Sequence, residues 1–135
     1  MKLNRYPETL AVVRLGPGAE VPSWAESSSL FSITVTATET SIVCAARSVP
    51  KKSVHQRPFT AFEVEGPLDF ALTGVLAELL APLAAAEISV FTLSTFDTDW
   101  ILVPGHDADR AAEEWRSAGH EVSAAVPADP RKKRR

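Results

Sequence analysis

Two polar segments of the chain carry the side chains that could bind a ligand or take part in chemistry. They run from Gly66 to Gly74 and from Ser94 to Asp99. In the second segment, Asp97 and Asp99 lie two residues apart at the end of a predicted strand. Two carboxylates with this spacing could act as an acid/base pair or contribute to a Mg²⁺ site. These segments are therefore the candidate functional regions of the chain.

A purely structural interpretation of the same residues is also open. Asp69 could serve only as the cap of a helix that follows it. The segment Ser94–Asp99 could serve only as an Asx-type turn between two strands. Residue types and spacing do not by themselves choose between a binding role and a turn-forming role.

Sequence patterns typical of catalysis and of metal or cofactor binding are absent. The three histidines, His55, His106 and His120, fall in predicted loops or at the ends of elements, without the spacing of a metal site. The sequence has no Walker-type or dinucleotide glycine motif, and Ser94 does not lie in a nucleophile elbow. We therefore expect no enzyme activity, no catalytic residue, no metal site and no cofactor.

Composition is that of an ordinary globular protein. The 135 residues are 45% hydrophobic and 23% charged, which suits a chain with a real core. No apolar run approaches the roughly 20 residues that span a membrane, and the N-terminal residues lack the apolar segment of a secretory signal. The single cysteine, Cys44, excludes an intrachain disulfide and is expected to be buried. These features predict a cytoplasmic protein with no membrane partner.

Charge is distributed unevenly along the chain. The net charge is -3, yet the last five residues, RKKRR, are all basic, so the rest of the chain is acidic. An acidic body does not indicate a groove for nucleic acid. A basic run of five residues could form an electrostatic patch for nucleic acid or anionic lipid. We interpret residues 127–135 instead as a disordered basic tail.

Hydrophobic periodicity predicts the elements that would position the two polar segments. A 3.6-residue apolar repeat from Leu72 to Leu83 predicts a helix at about 70–85, with Asp69 at its start and Pro82 expected to kink or end it. A short helix is expected after Asp107, and a single helical turn at 21–26. Residues 47–58 are expected to form a loop. Strands are predicted at 9–15, 31–38, 41–46, 59–64, 88–93, 100–103 and 121–126.

The order of these elements predicts the fold class. From residue 59 the order is β-α-β-β-α-β, the ferredoxin-like arrangement of an antiparallel sheet with two helices on one face. The first half reads as a reduced copy of the same unit. We therefore predict an α+β protein with a reduced unit at 8–58 and a complete unit at 59–126, packed as one body because a lone incomplete unit would leave an apolar sheet face exposed.

Particular motifs resemble one family. Gly74-Val75-Leu76, followed after a helix by Ile88-Ser89-Val90, is similar to the pattern of ACT domains, which are small amino-acid-binding regulatory modules found for example in aspartate kinases. Glu87 stands where that family usually has glycine. The segments VEGPLDFALTGVLAELLAPLA and SVFTLSTFDTDWILV resemble small tandem-ACT proteins, which include stand-alone bacterial proteins and the arginine sensors of animals.

This resemblance implies a non-enzymatic regulatory module that binds a small ligand, most naturally an amino acid, at the junction of its ACT units. N–H groups near Gly74 would hold the ligand carboxylate. The aspartates would hold its ammonium or a basic side chain. The expected ligand-binding residues are Leu68, Asp69, Thr73, Gly74, Val75, Thr95, Phe96, Asp97 and Asp99.

The resemblance also implies a homodimer, since ACT sheets often continue across two copies. An alternative function is a protein–protein interaction or dimerisation module that takes no small ligand. A further protein partner is compatible with either function, whereas nucleic acid is not an expected partner.

Overall fold

The computed structural model of the chain describes residues 1–69 and 71–125. These residues form a seven-stranded sheet and two α-helices. Two short 3₁₀ turns, Ala46–Ser48 and Gly105–Asp107, punctuate the chain. The elements are β1 (Lys2–Leu15), β2 (Ser32–Val35), β3 (Thr40–Ala45), β4 (His55–Val64), α1 (Val75–Ala85), β5 (Phe91–Ser94), β6 (Asp99–Pro104), α2 (Ala108–Ser117) and β7 (Glu121–Ala124).

The long strand β1 joins the two halves of the sheet. The strand order is β2-β3-β1-β4-β6-β5, and β7 lies beside β1. The first part of β1, Lys2–Arg5, pairs in parallel with β7, and its last part, Leu10–Leu15, pairs antiparallel with β3. Strand β4 runs antiparallel along the other side of β1. The two halves of the chain are thus packed as one body around this strand.

Both helices pack on one face of the sheet, as the β-α-β-β-α-β order of β4 to β7 requires. Trp115 of α2 is fully buried there and meets the ring of Phe62 edge-on, with the centroids 4.9 Å apart. Its indole N–H donates a hydrogen bond of 2.8 Å to the carbonyl oxygen of Leu79 in α1. This bond ties the two helices together over the strands that carry the candidate site. The α+β ferredoxin-like class is confirmed.

Residues 1–69, all of which the structure describes, contain no α-helix, which fits a reduced unit in the first half of the chain. The loop between β1 and β2 replaces one, since Trp24 and Ala25 pack against the sheet face that carries Val13 and Cys44. Cys44 is fully buried, and this burial raises the pKa of its thiol. The helical turn expected at 21–26 is instead a non-helical turn, with the Ala25 N–H donating to the Pro22 carbonyl over 3.1 Å.

Several predicted boundaries were wrong. Strand β1 begins at Lys2 rather than residue 9, because its first residues pair with both β4 and β7. The loop predicted at 47–58 ends before His55, where β4 already pairs with β1. Helix α1 begins at Val75 rather than residue 70, and it continues through Pro82 to Ala85.

Two expectations concern the ends of α2. Gly119 follows the end of α2 with φ +95°, as expected of a glycine that terminates a helix. Asp107 precedes α2 but makes no capping bond, because its carboxylate accepts a hydrogen bond from Arg110 at 2.7 Å.

Residues 127–135, the predicted tail, lie outside the described residues. The division of the chain into units at residue 58 stays a prediction.

Candidate functional site

The loop before α1 and the turn between β5 and β6 meet at a cleft of about 210 Å³. The cleft brings together most of the residues expected from the sequence, but Thr73 and Gly74 do not line it. It also includes three residues outside that set: Leu72, Ser94 and Thr98. The lining residues are Leu68, Asp69, Leu72, Val75, Ser94, Thr95, Phe96, Asp97, Thr98 and Asp99.

Backbone contacts hold the two walls of the cleft together. The N–H of Leu68 donates a hydrogen bond of 2.7 Å to the carbonyl oxygen of Asp97. The chain can approach this closely because residue 66 is glycine. A Cβ atom on Gly66 would lie 3.0 Å from the same Asp97 oxygen and 3.2 Å from the Cβ of Thr98. Any side chain at residue 66 would therefore push the two walls apart.

The turn between β5 and β6 is organised by two threonines. Thr95 donates its N–H to the carbonyl of Thr98 at 2.8 Å, and the Thr98 N–H donates back to the Thr95 hydroxyl at 3.3 Å. The Thr98 side chain points into the protein, where its hydroxyl donates to the carbonyl oxygen of Val64. Thr98 is only 7% exposed. This bond therefore holds the turn to β4, while the exposed residues of the turn line the cleft.

The three aspartates of the cleft differ in what already binds them. The Asp69 carboxylate accepts the N–H of Ala71 at 2.8 Å, so it stabilises a local turn. Its expected role as a cap of α1 is wrong, because the helix begins six residues later. Asp99 accepts a hydrogen bond of 2.6 Å from the hydroxyl of Ser94. Among the described residues, the exposed Asp97 carboxylate has no side-chain partner, so it is the acidic group most available to a ligand.

Helix α1 starts at the cleft in an unusual way. Gly74 precedes it with φ +78°, a left-handed conformation that favours glycine, and among the described residues no side-chain hydrogen bond caps the helix. The first helical hydrogen bond runs from Glu78 to the Gly74 carbonyl at 2.9 Å. The N–H groups of residues 75–77 therefore fall outside the helical ladder, as at any helix start. Val75 is the member of this first turn that lines the cleft.

The cleft does not present the features of a metal centre. Within residues 1–69 and 71–125, no group of three or more His, Cys, Asp or Glu side chains is arranged to hold a metal ion.

No helix in residues 1–69 and 71–125 is long and apolar enough to cross a membrane.

Three residues that line the cleft, Leu72, Ser94 and Thr98, were not expected from the sequence, although each lies in or beside a segment that was singled out. Ser94 and Thr98 lie inside the polar segment that was singled out, but their hydroxyls were not assigned a role. Leu72 belonged to the predicted apolar face of the helix. Because α1 starts after it, Leu72 lies on the loop instead, 55% exposed at the mouth of the cleft.

Comparison with known proteins is consistent with this fold and chain length. A family model described as an ACT domain matches residues 54–113, and a second model, of an N-terminal domain, matches residues 8–52. The crystal structure of a protein from Agobacterium tumefaciens is 31% identical, with a TM-score of 0.85, and the match covers 93% of both chains. The chain belongs to the ACT-domain family.

Two more distant structures have the same fold. A protein of unknown function from Vibrio cholerae, described as a possible transport protein, is 15% identical with a TM-score of 0.65, and the match covers 86% of this chain and 89% of that one. The regulatory subunit of aspartate kinase from Thermus flavus is 9% identical with a TM-score of 0.61, covering 87% and 97%. At such identities the likeness shows the fold alone. The search of curated proteins gave no match.

Proposed function

We propose that this protein is a non-enzymatic, cytoplasmic regulatory module that binds a free amino acid, or a similarly small ligand, in the cleft between residues 68–75 and 94–99. The observation that carries the proposal is the meeting of these two segments at one cleft. Asp97, Asp99 and Val75, the first residue of α1, all line it. This pairing suits a zwitterion, because carboxylates attract an ammonium group and helix N–H groups attract a carboxylate.

The size of the cleft supports a small ligand. A volume of about 210 Å³ lies below the roughly 300–1,000 Å³ of typical drug-binding pockets. The half-buried Leu68 and Val75 supply apolar surface, and Asp97 supplies an exposed charge. A single amino acid combines the charges and the size that such a cleft accommodates.

A second copy of the chain would complete the site. All lining residues lie between 68 and 99, at the β5 edge of the sheet, whereas β2 and β3 lie on the far side of β1. The junction of ACT units at which we expect the ligand is therefore a junction between two copies. Leu72, 55% exposed, and Phe96, 84% exposed, would contact the partner there. The module is thus proposed to act as a homodimer.

The alternative function is a dimerisation or protein-interaction module without a small ligand. The exposure of Phe96 and Leu72 favours it, because large apolar side chains grouped at a surface are typical of protein interfaces. In this alternative the cleft is filled by a partner side chain rather than by a free ligand.

A thermal-shift screen of the twenty amino acids separates the two functions. A ligand that binds only the folded protein raises its stability by about 2.7 kcal/mol at 100 times its Kd. We expect one amino acid, or one chemical group of them, to raise the melting temperature in proportion to the logarithm of its concentration. The mass measured by light scattering, with and without that ligand, tests whether two copies form the site.

The interaction module without a small ligand predicts a different outcome of the screen. If no amino acid shifts the melting temperature at millimolar concentration while the protein is a stable dimer, the interaction module is the better description. The variant Phe96→Ser should then dissociate the dimer. Val54→Ser, which removes another exposed apolar side chain away from the cleft, is the matched control.

A further inference from the structure

The sheet face opposite the helices contains a second and larger cleft. Its volume is about 540 Å³, within the roughly 300–1,000 Å³ typical of small-molecule sites. Its residues come from β1, β3 and β4 and also from β2 and β5, which lie at opposite ends of the sheet order. Because both outer strands line one cleft, the sheet must curve strongly, and this face is concave.

One side of this cleft carries a row of hydrogen-bond donors. Arg14 on β1 is the register partner of Ser41 on β3, and Ser41 is the partner of Thr34 on β2. Direct partners in a sheet point to the same face, with Cβ atoms about 4.5–5.5 Å apart. A guanidinium and two hydroxyl groups therefore stand side by side at the cleft wall.

Arg14 differs from the other arginines of the described chain. Within residues 1–69 and 71–125, its guanidinium has no hydrogen bond or ion pair, while its backbone N–H donates to the Val54 carbonyl at 2.9 Å. The others are held by protein groups: Arg5 by Asp109, Arg47 by Glu8, Arg57 by the Ala46 carbonyl, Arg110 by Asp107 and Arg116 by Glu113. Arg14 is thus a cation whose fork of donors remains available at the cleft.

Apolar side chains line another part of the cleft, which also includes the polar residues Thr36, His55, Gln56 and Thr92. Val12 lies two residues before Arg14 on the same strand and so faces the same side. Phe91 and Leu93 face it from β5, and both are partly exposed beside a buried cluster of this sheet face. Glu39 also lines the cleft, in the turn between β2 and β3 two residues before Ser41, so its charge opposes the anion-binding donors of this wall and lowers the affinity that they supply.

We propose that this concave face is a second ligand site, distinct from the cleft at Asp97, and that it takes a small amphipathic monocarboxylate. The carboxylate binds Arg14, Ser41 and Thr34, and the apolar part lies over Val12, Phe91 and Leu93. Arginine suits this role because its planar fork matches the two oxygens of a carboxylate.

Calorimetric titration with octanoate, below its micellar concentration, tests the site in the full chain. We expect one octanoate per chain. Octanol lacks the charge, and octanedioate places a second charge against Val12, Phe91 and Leu93, so both should bind about 10-fold or more weaker. Arg14→Gln should weaken octanoate binding about 10- to 100-fold, the value of a hydrogen bond to a charged group, and Thr34→Val several-fold. Arg116→Gln, the same charge change on α2, should leave affinity unchanged.

Two further measurements fix the location. Asp97→Asn should bind octanoate as the wild type does, which separates this site from the other cleft. Amide NMR shifts on titration should concentrate at Phe91 and Leu93 rather than at Thr95. Equal affinity of octanol and octanoate, equal affinity of Arg14→Gln and wild type, or shifts centred on Thr95 would each overturn the proposal. So would the absence of binding, or a dimer that buries Arg14.

Discussion

The backbone N–H of Leu68 lies 2.7 Å from the backbone carbonyl oxygen of Asp97, and this hydrogen bond joins two segments that are almost thirty residues apart in the sequence. Neither side chain takes part in it. The bond therefore fixes the backbone that carries Asp97, while the exposed Asp97 carboxylate has no part in holding the two segments together. A site assembled in this way can lose a charged side chain without losing its shape.

Asp97→Asn should weaken amino acid binding while folding is unchanged. The amide keeps the shape of the side chain but removes a charged acceptor, worth about 1.5–3 kcal/mol or roughly 10- to 100-fold in affinity. Calorimetric titration with the amino acid identified by the thermal-shift screen measures the effect, and melting curves of both proteins check folding. Glu114→Gln, an exposed acid on α2, is the control. Unchanged affinity in Asp97→Asn would remove this residue from the site.

Thr98→Val should destabilise the fold by about 1–3 kcal/mol. The substitution keeps the side-chain volume but removes the hydroxyl that donates to the Val64 carbonyl, which leaves a polar group unsatisfied next to a buried side chain. Chemical denaturation measures the loss. Thr98→Ser should recover much of it, and Thr92→Val, an exposed threonine on β5, should cost little. Equal stability of Thr98→Val and wild type would show that the bond contributes nothing to the turn.

Gly74→Ala should destabilise the protein by about 1–2 kcal/mol, the usual cost of a left-handed conformation for a residue with a Cβ atom. Apart from the chain neighbours of Gly74, no heavy atom of the described residues lies within 4 Å of the position that this Cβ would take, so the cost is conformational rather than steric. Gly16→Ala is the matched control, because Gly16 has equally open surroundings but no positive φ. Thermal denaturation of the two variants should therefore differ. If both behave alike, the conformation at residue 74 is not the reason for glycine there.

The sequence predicted the order of the elements because each has a local signal. The apolar repeat that includes Leu79 and Leu83 specifies α1, and both residues are fully buried between this helix and the sheet. Alternation of apolar and polar residues marked the strands in the same way. These patterns are properties of short segments, so they can be recognised without knowledge of the tertiary structure.

The parts that could not be predicted depend on long-range pairing. Lys2 to Arg5 carry no strand pattern, yet they form strand because Val122 and neighbouring residues of β7 pair with them on one side and β4 on the other. The start of α1 was misplaced because Asp69 makes a local turn with Ala71, which competes with helix formation. The two segments of the cleft were identified, but the contact between them is made by backbone atoms, which the sequence does not mark.

Glu8 should make stability depend on pH. Its side chain is only 8% exposed and accepts hydrogen bonds from Ser27, Ser28, Ser29 and Arg47. Burial alone would raise the pKa of this carboxyl, but the hydrogen bonds more than offset burial and hold the pKa well below its ordinary value of 4.5. A carboxyl with a lowered pKa in the folded state stabilises the protein above its ordinary pKa, and this stabilisation is lost as the pH falls from there toward the lowered value.

Glu8→Gln should therefore lower the free energy of unfolding at pH 7 by about 1.5–3 kcal/mol, since it removes the charged acceptor that holds the Ser27–Ser29 loop. The difference from wild type should shrink as the pH falls below about 4.5, because the wild-type carboxyl then loses its advantage over the unfolded chain. Urea denaturation at several pH values gives both curves. Glu20→Gln, at an exposed position in the same loop, should show no such gap. A Glu8→Gln deficit that stays constant down to pH 3 would mean that packing, rather than charge, holds the loop.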